Sequence, residues 1–253
     1  MKKKYIIVIS IIIVYFLGLF LFIGVNNIKN EQKEATIIVD TETIWQLEKN
    51  KWINVSEIIK DDIYNVFLDN KNLGKFYLEK QDNWILYDLD RKQYKYDLGS
   101  FLAIKANYEI NLMNFNAQEI SNKKYVNKVL SDNKISATEE LTVNRVYQID
   151  IDTDGMKENI YAISNAFAKQ TSPKDTFSIV FMEKDNKIYY LYNKVEKNDG
   201  LNGCKPYINT VIDLDNDKIY EIIVSCGYFS TQKRSDMLYK FENEQFKMII
   251  DNN

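Results

Sequence analysis

One arrangement of residues limits the fold more than any other, because the chain uses it twice. "YQIDIDTDGMKENIYAIS" is followed by a loop and then "FSIVFMEKDNKIYYLYNK". "TVIDLDNDKIYEIIVSCG" is followed by a loop and then "MLYKFENEQFKMIID". Each unit reads as a strand, an acidic loop, a strand, a connection and a hairpin, and the acidic loops are offset by 63 residues. Such a repeat implies one four-stranded supersecondary unit built twice, over residues 143–253.

The preceding region, 36–110, carries the same strand texture. Aromatic and β-branched residues are dense, and turn signals recur every 8–12 residues. Turns are expected at Lys49–Lys51 and around Asn70–Gly74, and a short helix at 55–63. The chain has 28 asparagines against 8 glycines and 2 prolines. Asparagine tolerates positive φ, so it can take turn positions usually given to glycine. Residues 111–142 form a polar connector. Within it Ile120, Val126, Val129 and Leu130 have roughly helical spacing, which predicts one short helix over 117–130; an ordered loop is the other reading.

The N-terminus has a different character. Residues 5–25, "YIIVISIIIVYFLGLFLFIGV", contain no charge and as a helix would span about 30 Å, the thickness of a bilayer's hydrocarbon core. The run is longer than the apolar region of a cleaved signal peptide, which is the other reading. A membrane anchor over 5–25 is therefore expected. Lys2, Lys3 and Lys4 would form a cytoplasmic tail (1–4), 26–35 a linker, and the rest would lie outside. The fold class expected is all-β and mainly antiparallel, with one transmembrane helix and one connector helix.

Composition excludes several chemistries. The chain has no histidine, which removes Ser-His-Asp and Cys-His catalysis and histidine-ligated zinc. Net charge is −3, no basic patch stands out, and nucleic acid is not an expected partner. The two cysteines, Cys204 and Cys226, lie 11 residues on either side of Asp215. In a simple hairpin about that loop they would face each other. An oxidising exterior would permit a disulfide; two free buried thiols are the other reading.

The acidic loops carry the clearest chemistry. The first offers Asp150, Asp152, Asp154, the carbonyl of Met156 and Glu158; the second offers Asp213, Asp215, Asp217, the carbonyl of Ile219 and Glu221. Hard divalent cations take oxygen ligands, and acids at positions 1, 3, 5 and 9 with a carbonyl at 7 suit Ca2+. The twelfth position, a bidentate glutamate in EF-hands, is Tyr161 or Val224 here. Solvated turns, with aspartates bonding nearby backbone N–H groups, are the plainer reading.

These loops resemble those of FG-GAP/VCBS-type repeats, the family of integrin α-subunit propellers and many secreted bacterial proteins. The likeness covers Val143 to the C-terminus. The family's glycine at position 4 is Thr153 and Asn216 here, and at position 6 it is Gly155 and Lys218. The first loop is thus the better match. The resemblance implies one or two structural Ca2+ ions, a partial propeller-like assembly or two β subdomains, and a non-enzymatic module that binds a surface protein or wall polysaccharide. A polysaccharide-acting enzyme or its accessory subunit is the alternative. Trp45, Trp52 and Trp84 with 18 tyrosines would serve sugar stacking or, more simply, the core.

Overall fold

A computed structural model describes residues 33–252, apart from 41, 59–60, 97–99, 108, 168–174, 198–202, 229–230 and 232. Residues 1–4 and 5–25, expected to form a cytoplasmic tail and a membrane anchor, and most of the expected 26–35 linker lie outside the described residues. None of the helices among the described residues is long and apolar enough to cross a membrane. The chain divides into two compact units, Met1–Lys33 and Glu34–Asn253, and the second is described here.

That unit consists mostly of antiparallel β-sheet with a single short helix among the described residues. Sheet I comprises β1 (Ala35–Val39), β2 (Thr43–Glu48), β3 (Lys51–Asn54), β4 (Ile63–Leu68), β5 (Lys71–Lys80), β6 (Trp84–Tyr87), β7 (Gln93–Tyr94) and β8 (Phe101–Ala106), in the order 3-2-1-8-4-5-6-7. The connector then supplies β9 (Asn111–Leu112), β10 (Ala117–Glu119) and helix α1 (Lys124–Asp132). The first repeat is the meander β11 (Val143–Ile149), β12 (Glu158–Ser164), β13 (Thr176–Lys184) and β14 (Lys187–Glu196). The second is β15 (Lys205–Asp213), β16 (Glu221–Tyr228), β17 (Lys233–Glu242) and β18 (Gln245–Asp251).

Each meander gains a fifth strand from the connector. β10 pairs with β11 to make sheet II, and β9 pairs with β15 to make sheet III. The expected helix over 117–130 is therefore a strand at its start and a helix only from Lys124. All four stripe residues are buried, but only Val126, Val129 and Leu130 lie on the helix; Ile120 precedes it. The described part of 55–63 is not helical, and Ile63 opens β4.

Alternation of side chains shows how the sheets stack. On β12, Ile160 and Ala162 join a core with Val211, Ile222 and Val224 of sheet III, whereas Tyr161 and Ile163 pack beneath α1. On β16, Ile222 and Val224 face sheet II, and Ile223 faces Ile37, Val39, Trp45 and Leu102 of sheet I. The layers therefore run α1, sheet II, sheet III, sheet I. Strand β16, central in the middle sheet, is buried on both faces, which is why "EIIVSC" reads as an almost unbroken apolar run. Sheet I curls: Trp84 Nε1 on β6 donates to the Asp40 carbonyl beyond β1 at 2.7 Å, although three strands separate β6 from β1.

Four hairpins turn on two residues that both have positive φ: Lys49–Asn50, Asp69–Asn70, Asp185–Asn186 and Asn243–Glu244. This geometry matches strand twist, and asparagine supplies it without glycine in all four.

Sheets I and III are also tied by a buried polar cluster. Asp236 on β17 accepts from Thr43 Oγ1 at 2.6 Å, Ser225 Oγ at 2.5 Å and Arg234 Nε at 2.7 Å. Arg234 also pairs with Asp40, and Asn252 bonds Thr43 and the Asp236 N–H.

Candidate metal loops and junction cleft

The first acidic loop joins β11 to β12 and the second joins β15 to β16. Both are set by the same ladder ends, Ile149 opposite Glu158 and Ile212 opposite Glu221. In each, the apolar residue at position 2, Ile151 or Leu214, is buried and anchors the loop. Its N–H donates to the position-9 glutamate, at 3.0 Å to Glu158 and 2.8 Å to Glu221.

Two further internal bonds recur in both loops, and the second loop adds one from Asp217 N to Asp213 Oδ1 at 3.1 Å, the oxygen whose counterpart on Asp150 has no partner. Gly155 N donates to Asp150 at 3.1 Å, and Lys218 N to Asp213 at 3.2 Å. Met156 N donates to Asp154 at 2.7 Å, and Ile219 N to Asp217 at 2.8 Å. Positions 4 and 6 have positive φ in both loops: Thr153 at 56°, Gly155 at 88°, Asn216 at 59° and Lys218 at 70°. The second loop thus adopts the same backbone without either glycine, at a conformational cost that Gly155 spares the first. The loops lie side by side, with Tyr220 N donating to the Ile151 carbonyl at 2.8 Å.

Carboxylate oxygens of Asp150, Asp152 and Glu158 converge within 4.8 Å, as do those of Asp213, Asp215 and Glu221. Asp154 and Asp217 stand outside these triads. Met156 and Ile219 contribute N–H groups to the neighbouring aspartates, and the Met156 side chain is exposed.

Sequence reasoning missed two lysines. Lys184 Nζ sits 2.7 Å from Asp152, 2.8 Å from Glu158 and 3.7 Å from Asp154. Lys240 Nζ sits 2.7 Å from Asp215, 2.7 Å from Asp217 and 2.9 Å from Glu221. Burial alone would lower both ammonium pKa values, but the surrounding carboxylates outweigh it and raise them. Burial pushes Glu221 up to about 7, against the pull of the Leu214 N–H and Lys240. For Asp217 the balance is reversed: burial is outweighed by Lys240 and the Ile219 N–H, and its pKa falls. The signal was present in "FMEK" and "LYKF". However, Lys184 follows Glu158 by 26 residues and Lys240 follows Glu221 by 19, so the fixed offset of 63 does not align them.

Residues fit for an ion remain in the first loop. Asp150 Oδ1 and Asp152 Oδ1 are buried without a hydrogen-bond partner, whereas no carboxylate oxygen of the second loop is left that way among the described residues. Oxygen donors of this kind suit a hard divalent cation.

Cys204 and Cys226 are bonded, with Cα atoms 5.5 Å apart. They are not directly opposed, as the simple hairpin predicts. Pro206 is the ladder partner of Cys226, and a bulge at Asn209 shifts the register. Cys204 instead lies just before β15, where its carbonyl accepts from Ser164 and Ser178 of sheet II at 2.8 Å each. Gly203 permits this approach: a Cβ there would meet that of Ala166 at 2.9 Å. The bond therefore fastens sheet II's side of the core to β16.

A cleft of about 520 Å3 opens where the three sheets meet, with Asn70, Arg145, Tyr147, Lys205, Tyr207 and Asn209 in its lining. Arg145 and Lys205 are exposed, and neither forms an ion pair among the described residues. Of the tryptophans, Trp45 and Trp84 are core residues, and Trp52 packs half-buried against the sheet I–III core.

Searches against protein-family models, curated proteins and solved structures give no match to this chain.

Proposed function

We propose that the chain is a membrane-anchored, extracytoplasmic, non-enzymatic interaction module. In this reading residues 5–25 hold it in the membrane. Residues 143–253 are two FG-GAP/VCBS-like units, and the face-to-face stack of sheets is a partial, propeller-like assembly. Support for the repeat likeness comes from the bonds shared by the two loops and their positive φ at the family's two glycine positions. The loop carboxylates are engaged by backbone N–H groups and lysines, which suits a structural role better than acid–base chemistry. Asp150, Asp152 and Glu158 would hold a structural Ca2+, which when bound neutralises the loop and clips β11 to β12.

The observation that carries the interaction reading is the junction cleft. It combines aromatic rings, side-chain amides and two cations that form no ion pair among the described residues, with one carboxylate, Asp69, whose Oδ1 is engaged by the Ser100 N–H. Rings stack on sugars, amides bond hydroxyls, and Arg145 with Lys205 would pair with carboxylates or phosphates. The partner proposed is therefore an acidic wall polysaccharide. The test is co-sedimentation of the detergent-solubilised full chain with cell-wall polymer. An Arg145→Glu/Lys205→Glu variant should bind at least about tenfold more weakly. Undiminished binding would move the interaction surface away from the cleft, and absence of binding by the unaltered chain would sink the polysaccharide reading.

A further inference from the structure

Both lysines occupy the same place in their repeats. In sheet II, Asn159 pairs with Glu183, which sets Lys184 beside Glu158 at the start of β12. In sheet III, Ile222 pairs with Tyr239, which sets Lys240 beside Glu221 at the start of β16. The strand after each acidic loop thus delivers an ammonium to the loop's last carboxylate. Two repeats with different connections arrive at one geometry, so it is a property of the unit.

We infer that Lys240 is the resident cation of the second loop, standing permanently where the first loop accepts a divalent ion. This rests on the reading of the loops as cation sites and separates their roles. Lys240 lies within β17, its side chain only 8% exposed, on the face of the strand opposite to Tyr239 and Phe241, which pack in the core between sheets II and III. It touches three carboxylates within 2.9 Å, including Glu221, whose side chain is 2% exposed. An ion entering there would have to displace an ammonium held by three carboxylates at once, on a side chain anchored in the strand. Lys184 is the last residue of β13, at the hairpin turn, and 18% exposed. Its third carboxylate is 3.7 Å away, and it leaves Asp150 Oδ1 and Asp152 Oδ1 unpartnered. A small swing toward solvent frees the first loop, whereas the second loop is closed by the fold itself.

The experiment uses the full chain in detergent, with Ca2+ and the luminescent probe Tb3+, which Tyr220 between the loops would sensitise. The unaltered chain should bind one ion, and an Asp150→Asn/Asp152→Asn variant none. Lys240→Met should melt about 10 °C lower without Ca2+, because it leaves Glu221 buried and unpaired. Millimolar Ca2+ should restore part of that loss and add a second bound ion. An ion bound by the Asp150→Asn/Asp152→Asn variant would overturn the inference, since the second loop would then accept metal with Lys240 in place. Unchanged melting of Lys240→Met would overturn it too. If Lys240→Met does not fold, the ion count on the Asp150→Asn/Asp152→Asn variant still decides. If the unaltered chain binds no ion while Lys240→Met is destabilised, the calcium reading of the first loop fails and the role of Lys240 stands.

Discussion

Replacing Asp236 by asparagine keeps the shape of the side chain and removes its charge from between sheets I and III. Asp236 is 1% exposed. It accepts from Thr43, Ser225 and Arg234 within 2.7 Å, so both of its oxygens are engaged by protein donors. Removing one partner of a buried ion pair costs about 3–5 kcal/mol, because the other charge remains desolvated. Arg234 keeps Asp40, so the low end, about 3 kcal/mol, is expected. The amide hydrogens of the new asparagine would face hydroxyls that already accept from Arg234 and Asn252, which works against a smaller value. In a unit of this size the melting temperature should fall by about 6–12 °C. Guanidinium unfolding should show a lower midpoint with an unchanged slope. Adding Arg234→Met should cost less than the sum of the single changes, with a coupling of at least about 1 kcal/mol. A loss below about 1 kcal/mol for Asp236→Asn, or simple additivity with Arg234→Met, would refute the claim that this cluster fastens the two sheets.

Three other outcomes are expected. The Cys204–Cys226 bond closes a 22-residue span, so Cys204→Ala/Cys226→Ala should lose about 3 kcal/mol of stability in chemical unfolding, and dithiothreitol should lower the melting temperature of the unaltered chain only. Burial, with a smaller contribution from Asp236, raises Tyr207 to about 12 against about 10 in an unfolded chain. Between those values the unfolded state releases a proton that the folded state keeps; stability is therefore intact below pH 10 and falls as pH climbs toward 12. Absorbance at 295 nm and circular dichroism followed together should show buried phenols ionising with unfolding, not before it. Deleting residues 34–110 would bare Ile212, Leu214, Ile223 and Leu238, so the remaining repeats should be insoluble or bind a hydrophobic dye, rather than fold as an independent domain.

Much of the architecture was readable because it is local. The β-branched run "TIIV" and the turn pairs Lys49–Asn50 and Asp185–Asn186 specify strands and hairpins within a few residues. The acidic loops were readable for the same reason. Their spacing fixes which side chains turn inward, and the structure brings Asp150, Asp152 and Glu158 together, as it does Asp213, Asp215 and Glu221. Asp154 and Asp217 were named with them but lie to one side, because each first caps its own turn through the N–H of Met156 or Ile219.

The remainder depended on contacts between residues distant in sequence. The sequence by itself determined an antiparallel β protein with two equivalent acid-rich turns and a buried stripe in the connector. Only the tertiary structure decided that Ala117–Glu119 and Asn111–Leu112 leave the connector to edge two different sheets, since three-residue and two-residue strands carry too little pattern to declare a partner. It also decided that Cys204 reaches Cys226 from outside the ladder, because the bulge at Asn209 and the anchoring serines of sheet II are invisible in a count of residues about Asp215. Above all it placed Lys184 and Lys240 against the acids. Strand register, which links residues across a sheet, survives a seven-residue difference in the intervening connection that linear spacing cannot absorb.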